Sequence, residues 1–176
     1  MKVNGEFVPG IESWVSLSIM KTEEDIIGDK RLDINGNTVD VGYIPRPTDQ
    51  RVNFSMFFQD YIPSKPNYKM HLNLVYGTGL PFGPPNSDKY KDILRIPSYR
   101  RVDIGFSAVL KSEKKKIKTK WLNKFKSIWI STEVFNLLDI TNTVSYLWVT
   151  DIGGRQYAVP NYLTRRQLNA KIIVTF

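Results

Sequence analysis

At 176 residues, with 41% hydrophobic and 12% aromatic content, the chain is long enough for one domain or a piece of something larger, and too apolar for disorder. Cysteine is absent, which excludes disulfide frameworks, cysteine-ligated zinc, iron–sulfur clusters and thiol nucleophiles; with His71 as the one histidine, no His-based metal site or Ser-His-Asp triad can be built from this chain alone. The net charge of +8 owes much to eight lysines in "KSEKKKIKTKWLNKFK" (111–126), read as a solvated turn: no recognition helix, zinc finger or RNP-like motif accompanies them, so nucleic acid is not an expected partner.

Alternation at a period of two is widespread and helical periodicity is scarce. "KVNGEFV" opens the chain as a short strand, and "FVPGIES" (7–13) reads as a turn. "SWVSLSIMKTEED" (13–25) sets Val15, Leu17 and Ile19 against Ser16 and Ser18. A long polar segment (28–50) follows, with Asn35-Gly36 as a hairpin signal. "VNFSMFF" (52–58) and "YKMHLNLVYG" (68–77) flank a tight turn, "PSKPN" (63–67). In the second run Tyr68, Met70, Leu72, Leu74 and Tyr76 take one face, and Lys69, His71 and Asn73 the other. After a proline-rich stretch (79–100), "RVDIGFSAVL" (101–110) opposes Val102, Ile104, Phe106, Ala108 and Leu110 to Asp103, Gly105 and Ser107. "SIWISTEV" (127–134), a long connection (139–163) and the terminal "LNAKIIVTF" complete about seven strands.

Several constellations point to chemistry and resolve into simpler readings. Glu23, Glu24 and Asp25 are read as rim carboxylates rather than a cation site. "DINGNTVD" lacks the Gly and final Glu of an EF-hand loop and is a turn. "YGTGLPFG" (76–83) has no following Lys-Ser/Thr, so it is a stiff loop rather than a phosphate cradle. Tyr146, Trp148, Arg155 and Tyr157 in the last long connection are candidate ligand-contacting residues, whose rings can stack on a flat ligand or pack on a neighbouring loop. Asp103 and Glu133 are two carboxylates on neighbouring strands; Arg100, Arg101 and Lys126 are expected to neutralise them, so ion pairing is the reading and not acid–base catalysis. No enzyme activity, metal or cofactor is expected.

Short turns alternating with long loops, and strands of about 9–11 residues, are the pattern of an outer-membrane β-barrel. No run of about 18 apolar residues is present, so no transmembrane helix is expected, and the N-terminus shows no apolar signal-peptide region. Parity places bulky apolar side chains on one face, for lipid, and His71, Asp103, Glu133 and Lys171 on the other, for a wet lumen. Tyr61, Tyr68, Tyr76, Tyr99 and Tyr162 near strand ends read as interfacial aromatic belts. The rival reading is a small soluble or self-closed basic β-barrel binding module, against which an odd strand count argues.

The ending places Leu168, Ala170, Ile172, Val174 and Phe176 on one parity and resembles the C-terminal signal read by the outer-membrane barrel assembly machinery. Further, "RPTDQRVNFSMFFQDYIP", "MHLNLVYGTGLPFGPPN", "IPSYRRVDIGFS", "TEVFNLLDITNTVSYLWVTD" and "YAVPNYLTRRQLNAKIIVTF" resemble the last strands and loops of TonB-dependent receptors of Bacteroidetes-type bacteria. The nearest group is similar to receptors with a carboxypeptidase-regulatory-like domain, related to the SusC-like importers. The resemblance implies an all-β, antiparallel transmembrane β-barrel segment. Residues 1–176 would be the C-terminal portion, about the last seven strands of a 22-stranded barrel, without plug, TonB-contacting segment or signal peptide. It implies long extracellular loops at 28–50, 79–100 and 139–163, and short periplasmic turns near 8–12, 63–67 and 111–122. The function implied is energised uptake of a large nutrient, its identity open among siderophores, glycans, peptides and cobalamin-like ligands. Implied partners are outer-membrane lipids, the assembly machinery, the TonB complex through the plug, and a surface lipoprotein.

Overall fold

The alternating runs become strands because β-branched and aromatic residues on every second position favour a pleated backbone. The computed structural model describes residues 1–8, 11–85, 87–88, 93–112 and 124–176, and among these the chain is all-β with no helix. In order the strands are β1 (Lys2–Val8), β2 (Ile11–Ile19), β3 (Glu23–Glu24), β4 (Lys30–Leu32), β5 (Thr38–Asp40), β6 (Ile44–Pro45), β7 (Val52–Ile62) and β8 (Lys65–Gly77). They continue with β9 (Pro81–Phe82), β10 (Leu94–Arg95), β11 (Tyr99–Lys111), β12 (Ser127–Phe135), β13 (Thr143–Thr150), β14 (Gln156–Tyr162) and β15 (Gln167–Thr175).

Seven of them form one antiparallel meander, β1-β2-β7-β8-β11-β12-β15, in which each strand pairs with its predecessor in the sheet and no connection crosses over. The sheet is open: β1 and β15 are its edges, and no closed barrel forms among the described residues. With seven alternating directions, both edges run the same way. The seven strands are those expected from the alternation, although the second ends at Ile19 instead of running to Asp25. Between β7 and β8 the turn is only Pro63-Ser64, with Ser64 left-handed at φ 63°.

The two faces are chemically opposite. Phe58, Leu72, Ile104, Val134 and Leu168 lie in register across five strands as one apolar row. The next position on each strand gives Gln59, His71, Gly105, Glu133 and Asn169, a polar row on the other face. Burial runs against ordinary globular logic: Asp103 and Glu133 are 5% and 8% exposed, whereas Phe106 and Leu110 are 41% and 43% exposed. Among the described residues the contacts of the seven strands are those between sheet neighbours. Tyr61 pairs with Lys69 and Tyr99 with Gly77, which puts both on the polar face; of the tyrosines expected to form belts, only Tyr68 and Tyr76 sit on the apolar face.

The long connections gather at one end of the sheet and are partly ordered as small ladders: β3 with β6, β4 with β5, β9 with β10 and β13 with β14. The connection at 139–163 is therefore a β-hairpin rather than a loop. Its alternation is invisible because both faces are apolar, Tyr146 and Trp148 on one side and Leu147 and Val149 on the other. The Asn35-Gly36 signal is realised between β4 and β5, where Gly36 has φ +80° and Asp33 accepts the amides of Asn35 and Asn37, each at 2.8 Å. The opposite end carries the turns; residues 9–10 and most of the lysine run, 113–123, lie outside the described residues.

Candidate functional site

The polar face holds the four residues expected to share it. Lys171 on β15 donates to Glu133 on β12 at 2.8 Å, Asn169 donates to the other oxygen at 3.0 Å, and His71 Nε2 lies 3.8 Å from Glu133. His71 belongs to β8, two strands away from Glu133, and reaches it only by lying over Gly105 of β11. A Cβ at Gly105 would sit 2.0 Å from the imidazole. The "DIGF" glycine is thus a gap through which two strands touch, a role the sequence alone did not reveal.

Asp103 accepts from Arg101 at 2.7 Å, from Asn73 at 3.2 Å and from the Asn136 amide at 2.8 Å. Arg101 was foreseen as its partner. Lys126 and Arg100 do not serve: Glu133 is neutralised by Lys171, and the Arg100 backbone is engaged by Asn142. Ser107 and Ser131 hydrogen-bond across β11 and β12 at 2.8 Å. Lys69 stands between the rings of Tyr61 and Trp129, 4.8 and 4.9 Å from their centroids. Lys69, His71, Ser107, Trp129, Ser131, Glu133 and Lys171 line a groove of about 470 Å³, from which Asp103 and its partners are absent. Glu133 in the groove is ion-paired with Lys171, and Asp103 nearby with Arg101.

The loop end is tied by side chains that the sequence reading did not single out. Asp49 is fully buried and accepts from the Thr22 amide at 2.8 Å, Arg51 at 2.8 Å and Arg95 at 2.5 Å. Arg95 also donates to the carbonyls of Asp49 and Gly79. The amide of Thr22 first, with the two guanidiniums, holds the Asp49 carboxyl down to about 2. Gly79 can be nothing larger, because a Cβ there would meet the Ile96 carbonyl at 1.5 Å. Asn142 brackets Arg100 through both backbone groups, accepting at 2.9 Å and donating at 2.8 Å, and so substitutes for a ladder partner. Arg165 and the Arg166 amide hold Asp139 at 2.8 and 3.0 Å. Their shared signal is "FNLLDITN", whose Asn136 and Asp139 are left-handed at φ 52° and 55°.

The candidate ligand-contacting residues divide. Tyr146 stacks on Phe82 at 4.4 Å and 4°, and Trp148 is tilted against the same ring at 6.2 Å, so one face of the hairpin is packed on the proline-rich segment. Tyr157 is half exposed beside Asp151, and the Arg155 amide closes the tip by donating to the same carboxylate. Glu23 and Glu24 are answered by Lys21 and Arg46.

The terminal strand keeps its expected parity. Leu168, Ala170, Ile172 and Val174 face Val134, Thr132, Ile130 and Ile128 on the apolar side, and Phe176 sets its ring edge-on against Phe125 at 5.1 Å. Leu168, Ile172 and Phe176 remain strongly exposed along an unpaired edge. No family model, curated protein or solved structure matches the chain.

Proposed function

We propose that this chain is a segment of outer-membrane β-barrel wall, of the TonB-dependent receptor kind, with the polar face toward a lumen and the apolar face toward lipid. The observation that carries the reading is the inverted burial of a single-layer sheet: the ion-paired carboxylates Asp103 and Glu133 are sheltered on one side, while Phe58, Met70, Phe106, Leu110, Leu168 and Ile172 are exposed on the other. An open apolar face of this kind is adverse in water and suited to hydrocarbon. Strand length fits. The 13 residues of β8 or β11, at about 3.3 Å each and tilted by about 40°, rise roughly 30 Å, the thickness of a bilayer core.

Strand direction weighs against a self-closed module. Edges that run the same way cannot pair antiparallel with each other, so an antiparallel barrel needs an odd number of further strands. The resemblance to receptor C-termini supplies the rest of the reading: external loops that bind a nutrient, a plug upstream, and Leu168, Ala170, Ile172, Val174 and Phe176 as the assembly signal. The ordered ladders at the loop end and the exposed terminal side chains support it.

Proteolysis of intact cells tests the arrangement. Trypsin should cut near Arg155 and spare Lys114–Lys116, with the product recovered in the outer-membrane fraction. Cleavage at the lysines with Arg155 untouched would overturn the orientation, and recovery as a soluble monomer without detergent would overturn the membrane reading. Reading the DNA upstream of the Met1 codon gives an independent check, since an in-frame plug and signal peptide are expected there.

A further inference from the structure

A cation stands at the loop end of the apolar face. By register Leu17, Phe54, Tyr76 and Arg100 form a row across β2, β7, β8 and β11, so the Arg100 side chain leaves the sheet on the same side as Tyr76. That face of β11 then continues through Val102, Ile104, Phe106, Ala108 and Leu110 with no second charge. Asn142 holds the Arg100 backbone at both its amide and its carbonyl, which fixes the residue before the ladder with β12 begins at Ile104. Arg100 is exposed, and among the described residues no acceptor meets its guanidinium. A second guanidinium reaches the same end of the sheet: Arg166 donates through Nε to the Leu137 carbonyl, and the Leu137 amide donates to Val102.

Depth decides what such a cation meets. Tyr68 and Tyr76, the tyrosines of this face, lie eight positions apart on β8, or roughly 20 Å along the membrane normal at about 3.3 Å per residue and a tilt of about 40°. They match the two aromatic girdles that bound an apolar band of about 25 Å, and Arg100 lies opposite the outer one. A guanidinium facing hydrocarbon is costly at mid-depth and tolerated at the boundary, where it extends into the headgroups. This side of the wall faces away from the lumen, so a nutrient does not reach it. A phosphate offers the pair of oxygens that a guanidinium binds in two parallel hydrogen bonds. We propose that Arg100 is a binding site for the phosphate group of an outer-leaflet lipid, with Arg166 adding positive charge at the same boundary. The assignment rests on the reading of this chain as outer-membrane barrel wall with its long connections outside.

The test uses the complete translated product in phosphatidylcholine nanodiscs doped with diphosphoryl lipid A, and native mass spectrometry counts the lipid A that stays bound on ejection. The parent should retain this lipid about fivefold better than the same lipid stripped of its phosphates, the factor expected of one cation at a charged lipid surface. Arg100→Gln should remove most of that preference, and Arg100→Lys, which keeps the charge without the planar fork, should restore only part of it. Lys30→Gln removes one positive charge from the β4–β5 ladder and should keep the parent's preference. Excess inorganic phosphate should not displace the lipid, because the acyl chains hold it on the apolar face. Equal retention of the two lipids by the parent, an unchanged preference in Arg100→Gln, an equal loss in Lys30→Gln, or displacement by inorganic phosphate would each overturn the assignment. Membrane fractionation separates the two claims: an outer-membrane product without the phosphate preference sinks the lipid site alone, and a product that stays soluble without detergent sinks the wall reading.

Discussion

Gly105→Ala offers the sharpest probe of the polar face, because its effect should reverse sign with the residue at position 71. The new methyl would start 2.0 Å from His71 Cε1 and must reach about 3.4 Å, so the imidazole has to withdraw by about 1.4 Å. Withdrawal breaks its approach to Glu133 at 3.8 Å and its ring contact with Phe57 at 5.9 Å. The ring contact contributes about 0.5–1.5 kcal/mol and forced overpacking costs about 1–3 kcal/mol, so a net destabilisation of about 1–2.5 kcal/mol is expected. With His71→Ala in place the obstacle is gone. Alanine then restricts the unfolded chain and should stabilise by about 0.5–1 kcal/mol. Urea unfolding of the four variants in lipid vesicles, followed by tryptophan fluorescence, measures the cycle, with a coupling of about 2 kcal/mol expected. A Gly105→Ala variant as stable as the parent, or the same shift in both backgrounds, would refute the claim that the glycine exists to let His71 cross.

Three further outcomes follow from the loop end and the terminus. Asp49 has its carboxyl held at about 2, below the ordinary value of 3.8, so its contribution to stability is complete above about pH 4 and disappears as pH falls through 2; the Thr22 amide shift should titrate with that low midpoint and lose the transition in Asp49→Asn. Phe82→Ala removes the stack under Tyr146 and Trp148, worth about 1 kcal/mol, and should speed tryptic cleavage at Arg155 severalfold while leaving the seven-stranded sheet intact by circular dichroism. Phe176→Ser, or deletion of Phe176, should lower the amount assembled in the outer membrane as seen by the heat-modifiable band on gels, and unchanged levels would count against its role in the assembly signal.

The seven long strands were legible in the sequence because two-residue alternation is a local property: each run names its two faces without reference to any other. Lys171, His71, Asp103 and Glu133 fall on the expected face for that reason. What alternation could not supply was the neighbour. Glu133 takes Lys171 instead of Lys126 because β12 pairs with β15 in a register that no local pattern encodes. The 139–163 hairpin stayed hidden because its two faces are equally apolar.

At the loop end the balance shifts further toward tertiary structure. "GLPFGPP" announces a stiff loop, but only the fold brings Phe82 against Tyr146, 64 positions later, and Arg95 against Asp49, 46 positions earlier. The sequence by itself determined the all-β class, the strands of the main sheet and the chemistry of each of its faces, because these follow from side chains and the pleat. Tertiary structure alone decided which charges meet, which glycine leaves room for a crossing side chain and which ring the hairpin stacks on, because those depend on distances between residues far apart along the chain.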